Sequence, residues 1–272
     1  MIEIVAPGPL ATIQDSGRTG YAALGVARSG AFDRQAAASA NRLVGNDARV
    51  PVIEVTYGGL VLRALDAATV AITGAPCAGV EHGSPRSLAA GQLVALGAPL
   101  RGLRSYLAVR GGFAVERTLG SASTDLLGRL GPDPLRAGDV LRVGAQPAGP
   151  VSETSAATRS TGGSLRVLPG PRVDWFADGA IDHLLDSAWT VRAESDRVGI
   201  RLDGRAIERA VTDELPSEPT RPGAIQIPAD GRPIIFGPDA PVTGGYPVLA
   251  MLVDLDPAAQ LRPGDEVRFT LG

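Results

Sequence analysis

Glycine and proline break this sequence every few residues, 35 and 22 of them in 272, and no other feature limits its folding so tightly. Inside a helix each Gly costs about 1 kcal/mol and each Pro about 3 kcal/mol relative to Ala, so a bundle of long helices is excluded. Between the breaks lie short runs of Val, Ile and Leu, which fit strands closed off by turns. The runs at 2–5, 52–57, 60–63, 69–73, 92–96, 106–109 and 140–143 are predicted strands. So are 190–192, 200–202, 224–227, 234–236, 248–253 and 267–270. Strands this short and this frequent build a sandwich or a barrel. Two stretches read as helix. Residues 34–44 follow an N-capping Asp33, place Ala37, Ala40, Leu43 and Val44 on the apolar side, and stop at Gly45. Residues 178–185 set Ile181, Leu184 and Leu185 on one face.

The stretch from Thr12 to Asp33, TIQDSGRTGYAALGVARSGAFD, differs in kind. It places Asp15, Asp33, Arg18, Arg28, Ser16 and Ser29 among closely spaced glycines, a poor composition for a core element. Glycine lets backbone N–H groups approach a ligand, and Arg offers a planar fork for carboxylate or phosphate. The plain alternative is a tight turn in which Asp15 and Arg18 pair with each other. A second competition concerns the helix after Asp33. Its first N–H groups, next to Ser29-Gly30-Ala31, suit a ligand anion, unless Asp33 already satisfies them. Glu54, among Val52, Ile53 and Val55, is either a buried structural ion pair or a site acid. In the second half, Glu218-Pro219-Thr220-Arg221-Pro222-Gly223 and Pro238–Tyr246 are rigid polar loops of the kind that carries function.

Composition excludes several classes. A net charge of −3 gives no footprint for nucleic acid. No apolar run is long enough to span a membrane, and Ile2-Glu3-Ile4-Val5 reads as a strand and not a signal peptide. With the single Cys77 unable to form an internal disulfide, a cytoplasmic protein is expected. Cys77 itself reads as a small buried hydrophobe. His82 and His183 are the only imidazoles and lack ligand spacing, so no metal site is expected. All 26 basic residues are Arg; there is no Lys. A standard P-loop, a Schiff-base enzyme and a biotin-bearing lysine are thereby excluded from this chain.

Residues 148–163, AGPVSETSAATRSTGG, read as a linker or long loop, with halves at 1–147 and 164–272. Three segments of the first half return in order in the second. Val5–Pro9 is echoed by Val167–Pro171, Ser16-Gly17-Arg18 by Ser195-Asp196-Arg197, and Leu135-Arg136-Ala137-Gly138-Asp139 by Leu261-Arg262-Pro263-Gly264-Asp265. The pattern is that of a duplicated unit.

TIQDxGRxGxxxxGVxxSGAxD is followed by Asn41–Asn46, Glu54, Arg104–Gly112 and Gly120–Asp125. Leu168–Pro171, Ser195–Gly199, Pro222–Pro228 and Thr243–Pro247 complete an ordered set covering nearly the whole chain. This set resembles the biotin-dependent carboxyltransferase family, subdomains A and B. That family includes the C-type component of ATP-hydrolysing 5-oxoprolinases, proteins labelled allophanate hydrolase subunit 2, and part of the urea carboxylase carboxyltransferase domain. The resemblance implies a mainly β chain of two cyclophilin-like β-barrel subdomains, A-type then B-type, with few short helices. It implies the C-type component of an ATP-dependent amidohydrolase, inactive alone, that opens 5-oxoproline to glutamate with a B-type and an A-type partner subunit. ATP would serve the complex, and no biotin would be attached to this chain. Two alternatives stay open: a carboxyltransferase subunit of a biotin-dependent urea or amide carboxylase, and a regulatory protein that antagonises a histidine-kinase inhibitor. Opening a lactam calls for bidentate anion binding and for donors that meet a developing oxyanion. Arg18 and Arg197, matched positions of the echoes, are the expected anion binders. Asp15, Asp33 and Asp239 are the candidates for orientation or proton transfer. Ser29, Gly30, Thr243, Gly244, Gly245 and Tyr246 are the candidate donors to substrate or nucleotide.

Overall fold

The computed structural model describes residues 1–145, 147–152 and 164–272, so most of the expected 148–163 linker lies outside the described residues. The chain divides into two compact units. The first is built from Met1–Arg18, Ser29–Asp125 and the described residues from Arg129 to Ser152; the second takes Thr19–Arg28, Leu126–Gly128 and residues 164–272. Two segments of the first half of the sequence therefore belong to the second unit.

The first unit is a sandwich. One sheet orders its strands Leu93–Ala95, Leu60–Ala64, Ile2–Pro7, Val140–Leu141; the other runs Leu10–Gln14, Val52–Thr56, Arg104–Val109, Ala68–Gly74, Pro85–Leu88. The core lies between them, where Ile2, Ile4, Leu60 and Leu62 meet Ile13, Ile53, Val55, Ile72 and Leu107. Helix α1 (Arg34–Leu43) covers the opposite face of the five-stranded sheet through Ala37, Ala40 and Leu43. Strand side chains alternate between faces, and register makes the two faces chemically distinct. Ile13, Ile53, Leu107 and Ile72 form an apolar row across four strands. The neighbouring row, Thr12, Glu54, Tyr106 and Thr73, is polar, buried, and on the α1 side. Cys77 sits in the sandwich core as a small buried residue.

In the second unit eight strands form one sheet, ordered Glu266–Val267, Trp189–Val191, Gly199–Asp203, Ile234–Phe236, Ala224–Gln226, Val248–Leu252, Leu165–Pro169, Phe269–Leu271. Its two edge strands are consecutive in sequence, separated only by Arg268. The sheet is thus a nearly closed barrel, which leaves little free edge. Helix α2 (Ala180–Asp186) packs on Phe269–Leu271, and Trp189, fully buried, donates its indole N–H to Leu184 O at 3.0 Å. Among the described residues α1 and α2 are the two α-helices, and none is long and apolar enough to cross a membrane.

The strands read from Val/Ile/Leu runs are present with small shifts at their ends, and so are both helices, but the run expected as one strand at 267–270 is broken at Arg268 into Glu266–Val267 and Phe269–Leu271, on the two edges of the sheet. Five strands depart from expectation: Leu10–Gln14, Pro85–Leu88, Leu165–Pro169, and the pair Glu218–Pro219 with Thr243–Gly244. The glycine-loosened stretch is also a correction. Thr12, Gln14, Asp15, Arg18, Ser29 and Asp33 are all buried. Most of its polar groups are buried because they are hydrogen-bonded, the condition under which an interior accepts them. The LRxGD echo has a common local structure. Asp139 accepts from Arg136 N at 2.7 Å and Asp265 from Arg262 N at 2.8 Å. Each turn then pairs with a strand through Gly138 and Gly264, whose N–H groups donate to Ile4 O and Val191 O.

Candidate functional site

In the first unit the polar groups converge on Asp15. Strand Leu10–Gln14 ends there, and Gly17 N–H turns back to Asp15 Oδ1 at 2.8 Å. The hydroxyls of Ser121 and Ser123 donate to the same oxygen at 2.6 Å each, while Oδ2 receives Ala122 N–H at 2.8 Å and Arg117 Nη1 at 3.3 Å. The ionic partner of Asp15 is therefore Arg117, not Arg18. Arg18 is buried and donates to backbone carbonyls, from Nε to Thr118 at 3.2 Å and from Nη2 to Ser123. Ser29 and Gly30 lie flat against this turn. Both have left-handed backbone, φ 53° and 91°, and Ala31 N–H donates to Asp15 O at 2.9 Å. A Cβ on Gly30 would sit 2.9 Å from Gly17 N and 3.0 Å from Ser16 C, so only glycine allows so close an approach. Ser29 Oγ is buried without a hydrogen-bond partner among the described residues.

Asp33 begins α1. Its Oδ1 accepts from Ala36 N–H at 2.9 Å, which settles the competition for that group in favour of the cap, and its own N–H donates to Tyr106 Oη at 2.7 Å. Burial, with the carboxylates of Glu54 and Asp33 nearby, pushes the Tyr106 phenol well above its usual range. Glu54 accepts Phe32 N–H at 2.9 Å and faces Arg104 Nε at 3.6 Å, both side chains buried. Arg104 in turn lies 4.4 Å over the Phe32 ring. Glu54 is the structural ion pair of the two readings.

The second unit holds two further groups. Arg197 grips Asp239 bidentately, Nε to Oδ2 and Nη2 to Oδ1, both 2.9 Å, with side chains 1% and 0% exposed. Asp239 Oδ2 also accepts Leu126 N–H at 3.3 Å. The fork of Arg197 thus meets a carboxylate of its own chain. Thr243, Gly245 and Tyr246 are exposed on a loop whose two-residue strand Thr243–Gly244 pairs with Glu218–Pro219. Gln226 braces the loop by donating to Tyr246 O at 2.8 Å, and Thr220 Oγ1 donates to Pro241 O at 2.6 Å. At its base Arg172 pairs with Glu218; that hydrogen bond lowers the carboxyl and raises the guanidinium from their usual pKa values. Among the described residues no group of three His, Cys, Asp or Glu side chains is placed to hold a metal.

The family model for the carboxyltransferase domain, subdomain A and B, matches residues 24–271. The chain belongs to this family. A carboxyltransferase-family relative, the C-type 5-oxoprolinase component of Escherichia coli, is 36% identical over 280 residues, covering 99% of this chain and 90% of that protein. Among solved structures, TTHA0988 superimposes with a TM-score of 0.88 at 38% identity over 99% of this chain, which spans 55% of that chain's length. Kluyveromyces lactis urea amidolyase gives a TM-score of 0.91 at 30% identity over 99% of this chain, and there the family region is 18% of the longer protein. Within this family fold, sequence reasoning missed Arg117 and Arg172 as parts of the polar groups. Tyr106, Gln226, Ser121 and Ser123 enter it only as parts of motifs. The polar alternation of Gly120–Asp125 was the available signal that small hydroxyls face a buried carboxylate.

Proposed function

We propose that this chain is the C-type component of an ATP-dependent 5-oxoprolinase that opens the lactam of 5-oxoproline to glutamate with B-type and A-type partner subunits. The observation that carries the reading is the match to the Escherichia coli protein, end to end in both chains, 99% and 90%. A chain without lysine cannot itself carry biotin, so the carboxylase reading needs a separate biotin carrier. ATP would be bound by the assembled complex, in the cytoplasm.

In this reading the exposed Thr243–Tyr246 loop meets the small-molecule amide. The Thr243 hydroxyl, the N–H groups of Gly244 and Gly245 and the Tyr246 phenol are the donors that would stabilise charge on a carbonyl oxygen. Ser29 and Gly30 form the corresponding element of the first unit. Asp15, Asp33 and Asp239 act as positioning residues. Asp15, with both oxygens already accepting, is an anchor and has no vacant position for a proton in transit. Arg18 and Arg197 hold loops in the same sense.

The test is reconstitution. Glutamate release from 5-oxoproline is expected only when this chain, both partner subunits and ATP are present. Release by the purified chain alone would refute the assignment to a multi-chain enzyme. Bicarbonate-dependent carboxylation of urea by this chain with a biotin carboxylase and its carrier, in place of lactam cleavage, would assign it to the carboxylase branch.

A further inference from the structure

We propose that Gln226 is a positioning residue for the amide site, aiming the Tyr246 phenol from beneath its loop; the inference rests on the reading that this loop meets the substrate. Gln226 ends the barrel strand Ala224–Gln226, lies between the fully buried Ile225 and Ile227, and is itself 4% exposed. Its cross-strand partner is Val248, which packs in an apolar cluster with Ala224, Phe236 and Ala240. Such an interior takes an apolar side chain at no polar cost and accepts a carboxamide only when that group is hydrogen-bonded. The register of the strand pair shifts between Ile225 and Gln226. A bulge of this kind re-aims a side chain, and bulges gather beside functional sites.

The carboxamide is aimed at the loop. Its Nε2 donates to Tyr246 O at 2.8 Å, and the next residue, Ile227, donates its N–H to Pro247 O at 3.0 Å. Two consecutive carbonyls of the loop are thus held by two consecutive residues at the strand end. Tyr246 also precedes a proline, which restricts its backbone to extended conformations. Together these fix the direction of its Cα–Cβ bond, and so the reach of a side chain that is 47% exposed. Gly244 completes the brace. Its backbone is not left-handed, so the glycine is needed for space: a Cβ there would sit 2.7 Å from Gln226 Nε2 and push the carboxamide off Tyr246. A donor to a developing oxyanion is effective when it is held in place before the reaction, and this brace does so for the phenol.

The test is a double-mutant cycle in the reconstituted complex. Gln226→Met keeps the length and flexibility of the side chain and removes the donor, so the barrel folds and unfolds cooperatively. Gln226→Met is expected to lower kcat for 5-oxoproline cleavage at least about tenfold, with KM changed by less than about threefold. In the Tyr246→Phe background, where the phenol hydroxyl is gone, the same substitution should cost less than about twofold. On the chain alone, NMR of 13C-labelled tyrosine rings should show the Tyr246 signals moving in Gln226→Met while Tyr21, Tyr57 and Tyr106 stay in place; Tyr246→Phe assigns them. An unchanged kcat, equal losses in the two backgrounds, or unmoved Tyr246 ring signals would each overturn the proposal. A wild-type complex that does not cleave 5-oxoproline would refute the function proposed above and leave the brace to be judged on the ring signals.

Discussion

Burial by itself would raise the pKa of Asp15, yet the hydroxyls of Ser121 and Ser123 and the N–H groups of Ala122 and Gly17 bring it below its ordinary 3.8. A carboxyl with a lower pKa folded than unfolded stabilises the fold while it is ionised in both states. That contribution is complete above pH 3.8 and is lost as pH falls through the depressed folded value. Asp15→Asn turns an NH2 donor toward groups that themselves donate and should lower unfolding free energy at neutral pH by about 3 kcal/mol. It should also flatten the acid limb of stability, measured by urea unfolding at a series of pH values. Arg18 makes a separate case. Lysine cannot reach both the Thr118 and Ser123 carbonyls, so Arg18→Lys should cost about 2 kcal/mol, and activity of the complex should track the folded fraction. A loss of about tenfold in turnover, 1.4 kcal/mol, with folding intact would show instead that the guanidinium meets the ligand.

At the scale of elements, the two loops proposed to face a ligand differ in how tightly they are built. Gly30 has φ 91° and backbone atoms crowding the position of a missing Cβ. Gly30→Ala should therefore destabilise by about 2 kcal/mol. Gly245 is exposed, and a Cβ there meets only Leu215 O at 3.3 Å. Gly245→Ala should keep stability within about 0.5 kcal/mol while lowering 5-oxoprolinase turnover of the complex; thermal unfolding and steady-state kinetics separate the two effects. Loss of the cap in Asp33→Ala should cost about 1 kcal/mol. These loops also mark where the sequence stops being readable. Val52–Thr56 and Val248–Leu252 announce themselves because large apolar side chains face a core. Leu10–Gln14 does not, because Thr12 and Gln14 face the polar row beneath α1 and look like loop residues until Glu54 is known to lie opposite. The two-residue strands Glu218–Pro219 and Thr243–Gly244 exist only through each other, and nothing local encodes a partner so far along the chain. Asp33 as a cap was legible because its signal lies within three residues. Asp15 was visible as a candidate, but its partners come from residues 117–123, a separation that no periodicity bridges.

At the scale of the whole molecule, arginine carries the positive side-chain charge, with no lysine to share it. Acylation of amines on the folded chain should modify the Met1 ammonium only, since there is no lysine, and intact-mass measurement showing a second amine adduct would contradict this. The barrel of the second unit carries a different consequence. Leu165–Pro169 pairs in parallel with Phe269–Leu271, and Ser164 Oγ lies 3.1 Å from Thr270 Oγ1. The first strand of the unit therefore lies beside its last. During synthesis on the ribosome, Leu165–Pro169 emerges about a hundred residues before the strand that covers its edge, so this barrel cannot close until translation reaches Leu271.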